Sequence, residues 1–125
     1  MPSKPKYPII QPIHHPSYDT QCVRMGSCEW SISRLIAYAK DLPVFDLPLS
    51  HMDLSDECWV SMVSREFAGH IIAVQNADLS KPIILSENGA IFDGRHRVVR
   101  AIIDKRETIK AVRFLENPSP CREDL

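Results

Sequence analysis

The hydrophobic pattern of the chain is clearest in its second half, where two short apolar runs flank a tetrapeptide that favours a turn. Residues 82–85 (PIIL) and 90–92 (AIF) lie on either side of 86–89 (SENG). Asn-Gly between two apolar runs is typical of a β-hairpin, because both central residues of a type I′ turn need positive φ. Asp93-Gly94 follows, and an apolar segment with helical spacing begins near Arg95. This order predicts strand, hairpin, strand, glycine turn and helix.

Two further helices are predicted upstream of this segment. Apolar residues recur at helical spacing after Cys28, and Pro43 ends that helix. Ser64 can cap a second helix that ends near Asn76. The inner face of that second helix is predicted to carry Phe67, Ile71 and Val74. Ser55 can cap a shorter helical piece that continues to Val60.

Two strands complete the predicted elements. Residues 44–49 form the first, which Pro48 confines to a sheet edge, and residues 108–114 form the last. The predicted fold is therefore a small α+β domain, with a mixed sheet of few strands flanked by helices. In this prediction residues 29–116 form the domain. Residues 1–28, which hold half of the ten prolines, form an extended arm, and residues 117–125 form a loose tail.

Composition indicates an ordinary globular chain of one domain. Of the 125 residues, 44% are hydrophobic and 25% are charged. No apolar run approaches the length of a membrane span and no signal core follows the N-terminus, so we expect a cytoplasmic protein without a membrane partner. The four cysteines show no Cys-x-x-Cys pair, which predicts free thiols. We expect no metal site, because His14-His15 with Cys22 and Cys28 match no established zinc spacing.

The charge distribution points to an anion near the predicted third helix. The formal net charge is −1, yet the segment from Asp93 to Arg113 carries +4. Arg95, His96 and Arg97 fall in the first helical turn, where the partial positive charge of a helix start disfavours cations. Because the exposed N–H groups of a helix start bind phosphate well, a bound phosphate would explain these residues.

The motif Asp93-Gly94-Arg95-His96-Arg97, with a hairpin before it and a helix after it, resembles the ParB/sulfiredoxin superfamily. Members share a small α+β domain and a Gly-x-x-Arg signature at a helix start. The resemblance covers residues 44–115 and includes the order of the predicted elements. It implies that Gly94, Arg95, His96 and Arg97 bind the phosphates of a nucleotide. The superfamily implies ATP, as in sulfiredoxins, or CTP, as in ParB proteins, with Mg²⁺ as a companion ion.

Two departures from the superfamily narrow this expectation. Sulfiredoxins need a reactive cysteine directly after the motif glycine, and Arg95 occupies that position, so sulfiredoxin activity is rejected. ParB partition proteins continue into a helix-turn-helix domain, whereas this sequence stops at Leu125. A free-serine kinase family carries a similar Asp-Gly-x-His-Arg motif and uses acidic residues for phosphoryl transfer, and some restriction-type relatives hydrolyse NTP.

The candidate catalytic residues are Asp93 and Asp46. Asp93 could deprotonate an attacking hydroxyl or hold Mg²⁺, and it could equally be a helix cap. Asp46, with His51 and Asp53, lies in or just after the strand that ends near the nucleotide in the superfamily. The leading hypothesis is a nucleotide-binding domain with NTPase or phosphotransferase activity left open. The alternative is a DNA- or protein-binding module without catalysis, and the oligomeric state is left open in both.

Overall fold

The computed structural model describes residues 21–55 and 57–122, which form three helices and six strands. The strands are β1 (Cys22–Met25), β2 (Cys28–Ser31), β3 (Phe45–Pro48), β4 (Ile83–Leu85), β5 (Ile91–Asp93) and β6 (Thr108–Arg113). The helices are α1 (Ile32–Ala39), α2 (Ser64–Gln75) and α3 (Arg95–Ile103), and a 3₁₀ turn spans Leu49–His51. The predicted α+β class is confirmed.

Four strands form a mixed sheet in the order β3-β6-β4-β5. β4 pairs with β6 in parallel, while the β3–β6 and β4–β5 pairs are antiparallel. The parallel pair arises because the chain leaves β4 through the β5 hairpin and returns through α3 before entering β6. β3, which contains Pro48, lies at an edge as predicted, since proline cannot donate to a central ladder.

Each face of this sheet has its own apolar core, so the domain has three layers. Ile84, Phe92 and Val112 pack on one face against Leu35 of α1 and Trp30 of β2. On the other face Ile83, Leu85, Val98, Ala101, Ile109 and Ala111 pack together beneath α3. The alternation along each strand produces the two cores, because successive side chains point to opposite faces.

The segment before α1 differs from the prediction. Residues 28–31 were expected to start a helix, yet they form β2, which pairs with β1 in a hairpin. Trp30 explains the difference: it is buried against Phe92, and its indole N–H donates to the Pro118 carbonyl at 2.8 Å. The backbone N–H of Cys121 donates to the Glu29 carbonyl at 2.8 Å. Long-range contacts therefore hold this segment extended, which local helical spacing could not show.

The β4–β5 connection is a hairpin, as predicted, with a different turn. The Gly89 N–H donates to the Ser86 carbonyl, and the Ser86 N–H donates to the Ala90 carbonyl. Gly89 has φ of +83°, whereas Asn88 is not among the described residues with positive φ. The connection is therefore a three-residue loop that ends in a left-handed glycine. The predicted position of the turn is confirmed, and the predicted type I′ geometry is wrong.

The helical predictions need three corrections. Ser64 is the first residue of α2 and caps nothing, since the cap position is Val63. Phe67 and Ile71 were expected to be buried, yet they are 50% and 39% exposed, because α2 packs mainly on α3 and leaves one side open. Ile102 and Ile103 of α3 are also exposed. No helix forms in residues 52–55 or 57–63, where Ser55 instead donates to the Asp53 carboxylate.

Gly94 is predicted to be the most sensitive glycine for stability. It has φ of +111°, and an added Cβ would lie 2.5 Å from Cγ2 of Ile83 and 3.1 Å from its Cα. Gly94→Ala should lower the free energy of unfolding by at least about 2 kcal/mol, from backbone strain plus overpacking. Urea denaturation measures the change. Gly26→Ala is the matched control, since Gly26 also has positive φ but open space around it. Equal losses in the two variants would refute the Ile83 contact as the cause.

Candidate functional site

The motif glycine joins the end of β5 directly to the start of α3. Asp93 is the last residue of β5, Gly94 is the N-cap residue of α3 in a left-handed conformation, and Arg95 is the first helical residue. The predicted helix start is confirmed. Within the described chain no side chain caps α3 and no acidic residue lies in its first turn. The positive end of α3 is therefore not neutralised by a carboxylate of its own first turn.

Arg95 lines a cavity of about 800 Å³ on the α3 face of the sheet. Two more guanidinium groups line the same cavity, Arg24 from β1 and Arg113 from β6. Apolar side chains supply other parts of the lining, among them Phe45, Leu47, Leu85 and Ile91. A concave site with an apolar lining and a few converging charges is the usual form of a small-molecule site in proteins.

Arg113 and Arg24 each lie close to an oxygen acceptor of the protein. Arg113 donates through Nε and Nη2 to the carbonyl oxygen of Glu87 in the β4–β5 turn, at 3.0 Å for Nε. Nη2 of Arg24 lies 3.8 Å from the Glu29 carboxylate across the β1–β2 ladder. A bound anion would therefore meet an Arg113 guanidinium whose position is already restricted, which reduces the entropy lost on binding.

The described lining of the cavity contains one carboxylate, Asp53, and one histidine, His51. The hydroxyl and the backbone N–H of Ser55 both donate to Oδ1 of Asp53, and these bonds hold its pKa below the usual range. Asp53 is thus an anion near neutral pH. The same lining includes three guanidinium groups, so its described charged groups sum to a net positive charge.

Arg97 turns away from this cavity toward the start of β4. Its guanidinium donates to the carbonyl oxygens of Lys81 and Pro82 and pairs with the Asp93 carboxylate at 3.2 Å. Asp93 therefore acts in this structure as the partner of Arg97, and its predicted role as a helix cap is wrong because Gly94 holds the cap position. The pair fastens the first turn of α3 to the two strands beside it.

His96 points in a third direction, toward α2. Its Nε2 lies 2.7 Å from Nδ1 of His70, and the indole of Trp59 stacks on both imidazoles. Burial, with a smaller contribution from His70, lowers the pKa of His96 below its ordinary value. The three residues diverge because successive residues on an α-helix are about 100° apart. Of the four predicted phosphate-binding residues, Arg95 alone is therefore in the described lining of the cavity, and Gly94 precedes it as the N-cap residue of α3.

The two predicted catalytic carboxylates do not converge. Asp46 lies on β3 and Asp93 on β5, which are opposite edges of the four-stranded sheet. Neighbouring strands are about 4.8 Å apart, so about 14 Å separates the two strands. Asp46 instead lies 3.9 Å from Lys110 and lines a second, smaller cavity with Arg106. Asp53, which the sequence also singled out, is the carboxylate that shares a cavity with Arg95.

Sequence reasoning missed three residues of this region. Arg24 was placed in an extended arm, and only the pairing of β1 with β2 brings it to the cavity. Arg113 was counted in the basic segment, but its position beside Arg95 depends on the order of strands in the sheet. Trp59 was placed on a helix, and no local signal connects it to His96. His14 and His15, weighed as zinc ligands, lie outside the described residues.

Comparison with known proteins gives no relative for this chain: no family model matches, and neither does any curated protein or solved structure. In the part of the chain that the structure describes, no helix is long and apolar enough to cross a membrane. All four cysteines are free, which confirms the prediction from their spacing.

The Arg97–Asp93 pair is predicted to stabilise the fold. Arg97→Ala leaves a partly buried carboxylate and two carbonyls without their cation, so unfolding should become easier by about 2 kcal/mol. Arg97→Lys should recover little, because an ammonium cannot bridge several acceptors as a guanidinium does. Chemical denaturation provides the measurement.

Lys110→Ala is the control for the Arg97 variants. It removes an ion pair whose side chains are 49% and 69% exposed, so the free energy of unfolding should fall by less than about 1 kcal/mol. If Arg97→Ala costs no more than Lys110→Ala, the proposed anchoring of α3 is wrong.

Proposed function

We propose that this chain is a nucleotide-binding domain of the ParB/sulfiredoxin type that holds the phosphates of its ligand at the start of α3. The observation that carries the proposal is the convergence of Arg24, Arg95 and Arg113 on one cavity beside the N-terminus of α3. Guanidinium groups and helix N-termini are the two protein features best suited to phosphate oxygens.

The cavity supports a division of the ligand into two parts. The phosphates would meet Arg95 and the first N–H groups of α3, with Arg24 and Arg113 neutralising the remaining charge. The base and sugar would lie against Phe45, Leu47 and Ile91, which supply apolar lining. Such an arrangement favours a ligand with several negative charges and a flat apolar body, such as ATP or CTP.

Mg²⁺ would be held at this site by a single protein ligand. The ion is usually bound by one or two carboxylates together with phosphate oxygens and water. Asp53, kept ionised by Ser55, is the described carboxylate in the cavity lining. If the ligand is hydrolysed or its phosphoryl group transferred, Asp53 is the residue we assign to the metal or to the attacking hydroxyl. Asp93 would contribute indirectly, by orienting Arg97 and the helix start.

Isothermal titration of the intact protein with ATP, CTP, GTP and ADP, with and without Mg²⁺, tests the proposal. We expect binding that weakens as salt rises, because charge dominates the contact. Arg95→Gln should weaken binding at least about tenfold, which corresponds to the loss of one charge-assisted contact. Arg106→Gln is the matched control, since Arg106 lines the other cavity. Absence of binding to every nucleotide at millimolar concentration would refute the proposal.

The same preparation separates this function from nucleic-acid binding without catalysis. Short single- and double-stranded DNA would be titrated in competition with the nucleotides. A DNA complex that survives Arg95→Gln would favour contact outside the cavity and support the alternative module. Release of inorganic phosphate from bound ATP or CTP, lost in Asp53→Asn, would establish turnover.

A further inference from the structure

α2 is attached to the domain at few points. Its principal contact is α3, and Val74 is the one residue of the helix that is buried among those the structure describes. At its C-terminal end, Nη1 of Arg100 donates to the Gln75 carbonyl at 2.7 Å and lies 3.4 Å from the Val74 carbonyl. Toward its middle, His70 meets His96 of α3. Arg100 therefore holds α2 at its C-terminal end, and the pair of His70 and His96 holds it near its middle.

The geometry of the histidine pair is that of two rings side by side. Nδ1 of His70 and Nε2 of His96 are 2.7 Å apart, the ring centroids are 5.0 Å apart, and the planes differ by 19°. The two nitrogens are in hydrogen-bond contact while the ring centroids are 5.0 Å apart, so the rings do not lie one above the other. They lie nearly in one plane and meet at their edges. One ring must donate its N–H and the other must accept it.

Trp59 covers this pair from the loop before α2. Its indole is stacked on His70 at 4.8 Å and on His96 at 4.9 Å, with planes 17° and 16° from parallel. Trp59 has φ of +53°, a left-handed conformation that a bulky side chain rarely adopts. The surroundings must compensate for that strain, and stacking on two rings is the contact that the structure provides.

The hydrogen bond limits how many protons the pair can hold. It can form when both imidazoles are neutral, or when one is protonated and donates to the other. A second proton leaves no acceptor, because both nitrogens then carry hydrogens, and it places two positive charges at contact distance. The other charged groups that face His96 are Asp93, which favours its protonation, and Arg97, which opposes it.

We propose that His70, His96 and Trp59 form an acid-sensitive latch that releases the N-terminal half of α2 and residues 57–63 when both histidines are protonated. Arg100 stays charged at any relevant pH, so its contact with the end of α2 persists and serves as the hinge. The mostly exposed face of α2 means that little other packing must be broken. The four-stranded sheet and both cores are not part of this movement.

The direction of the pH dependence follows from proton binding. Burial lowers the pKa of His96 in the latched state, and release removes that burial, so the pKa of His96 rises toward its ordinary value of about 6.5. The released state thus binds more protons below about pH 6.5, and acid favours it. Well above pH 6.5, His96 is neutral in both states, and the hydrogen bond and the stack keep the latch closed.

Hydrogen exchange of the intact protein at pH 7.5 and pH 5, with labelling times scaled for the intrinsic rate, tests the latch. Residues 57–72 should exchange at least tenfold faster at pH 5, while β4 and β6 keep their protection. Trp59 should become more exposed over the same range, seen as the difference in fluorescence between the intact protein and Trp59→Phe. His70→Gln, which keeps a polar side chain but cannot titrate, should lose the response.

His51→Gln is the matched control and should retain the full acid response, since His51 lines the nucleotide cavity and is not part of the latch. An unchanged exchange rate of α2 at pH 5 would refute the proposal. So would the same response in His70→Gln, because it would then come from other titrating groups. Simultaneous loss of protection in α2, β4 and β6 would show ordinary acid unfolding and would also refute the latch.

Discussion

The close approach of Gly94 to Ile83 places α3 directly against the four-stranded sheet. Ile83 is fully buried in the central strand β4, and no side chain fits between it and the backbone at the start of α3. This contact sets how near α3 lies to the sheet. It thereby determines where Val98 and Ala101 enter the core and where the first turn of α3 meets the cavity. A residue with a Cβ would shift the helix and the site together.

The wall of the cavity depends on contacts between the two ends of the described chain. β1 supplies Arg24, yet a two-stranded hairpin is marginal in isolation and needs further packing. That packing comes from Trp30 in the core and from residues 118–122, which bond to β2. Asn117 also exchanges hydrogen bonds with Glu87 in the β4–β5 turn. The segment expected to be a loose tail therefore contacts both structures that line the cavity.

Consecutive residues of α3 make contacts on different sides of the helix. The proposed nucleotide site and the proposed acid-sensitive latch therefore use different residues. Arg95 faces the cavity, Arg97 binds the strand ends, and His96 meets α2. A phosphate would therefore bind at Arg95 and a proton at His96, two neighbouring residues whose contacts are separate. The lowered pKa of His96 also disfavours an additional positive charge beside Arg97.

The short-range features of the fold follow from the preferences of neighbouring residues. The apolar runs around Gly89, the glycine before Arg95 and Pro48 at an edge each follow from backbone preferences that act within a few residues. They were sufficient for the α+β class, the place of the hairpin and the start of α3. They also drew attention to Arg95 at the helix start, whereas Asp53 was named from the superfamily resemblance.

The contacts of Arg95, His96 and Arg97 depend instead on how the helices and strands pack together. Three consecutive side chains on a helix point about 100° apart, and the sequence does not say which neighbour lies in each direction. Residues 28–31 directly precede a segment with helical spacing, yet they form a strand in which Trp30 is buried in the core. Asp46 and Asp93 were each named as catalytic candidates, and the strand order places them on opposite edges of the sheet. Local preference selects elements, whereas non-local packing selects their partners and so the site.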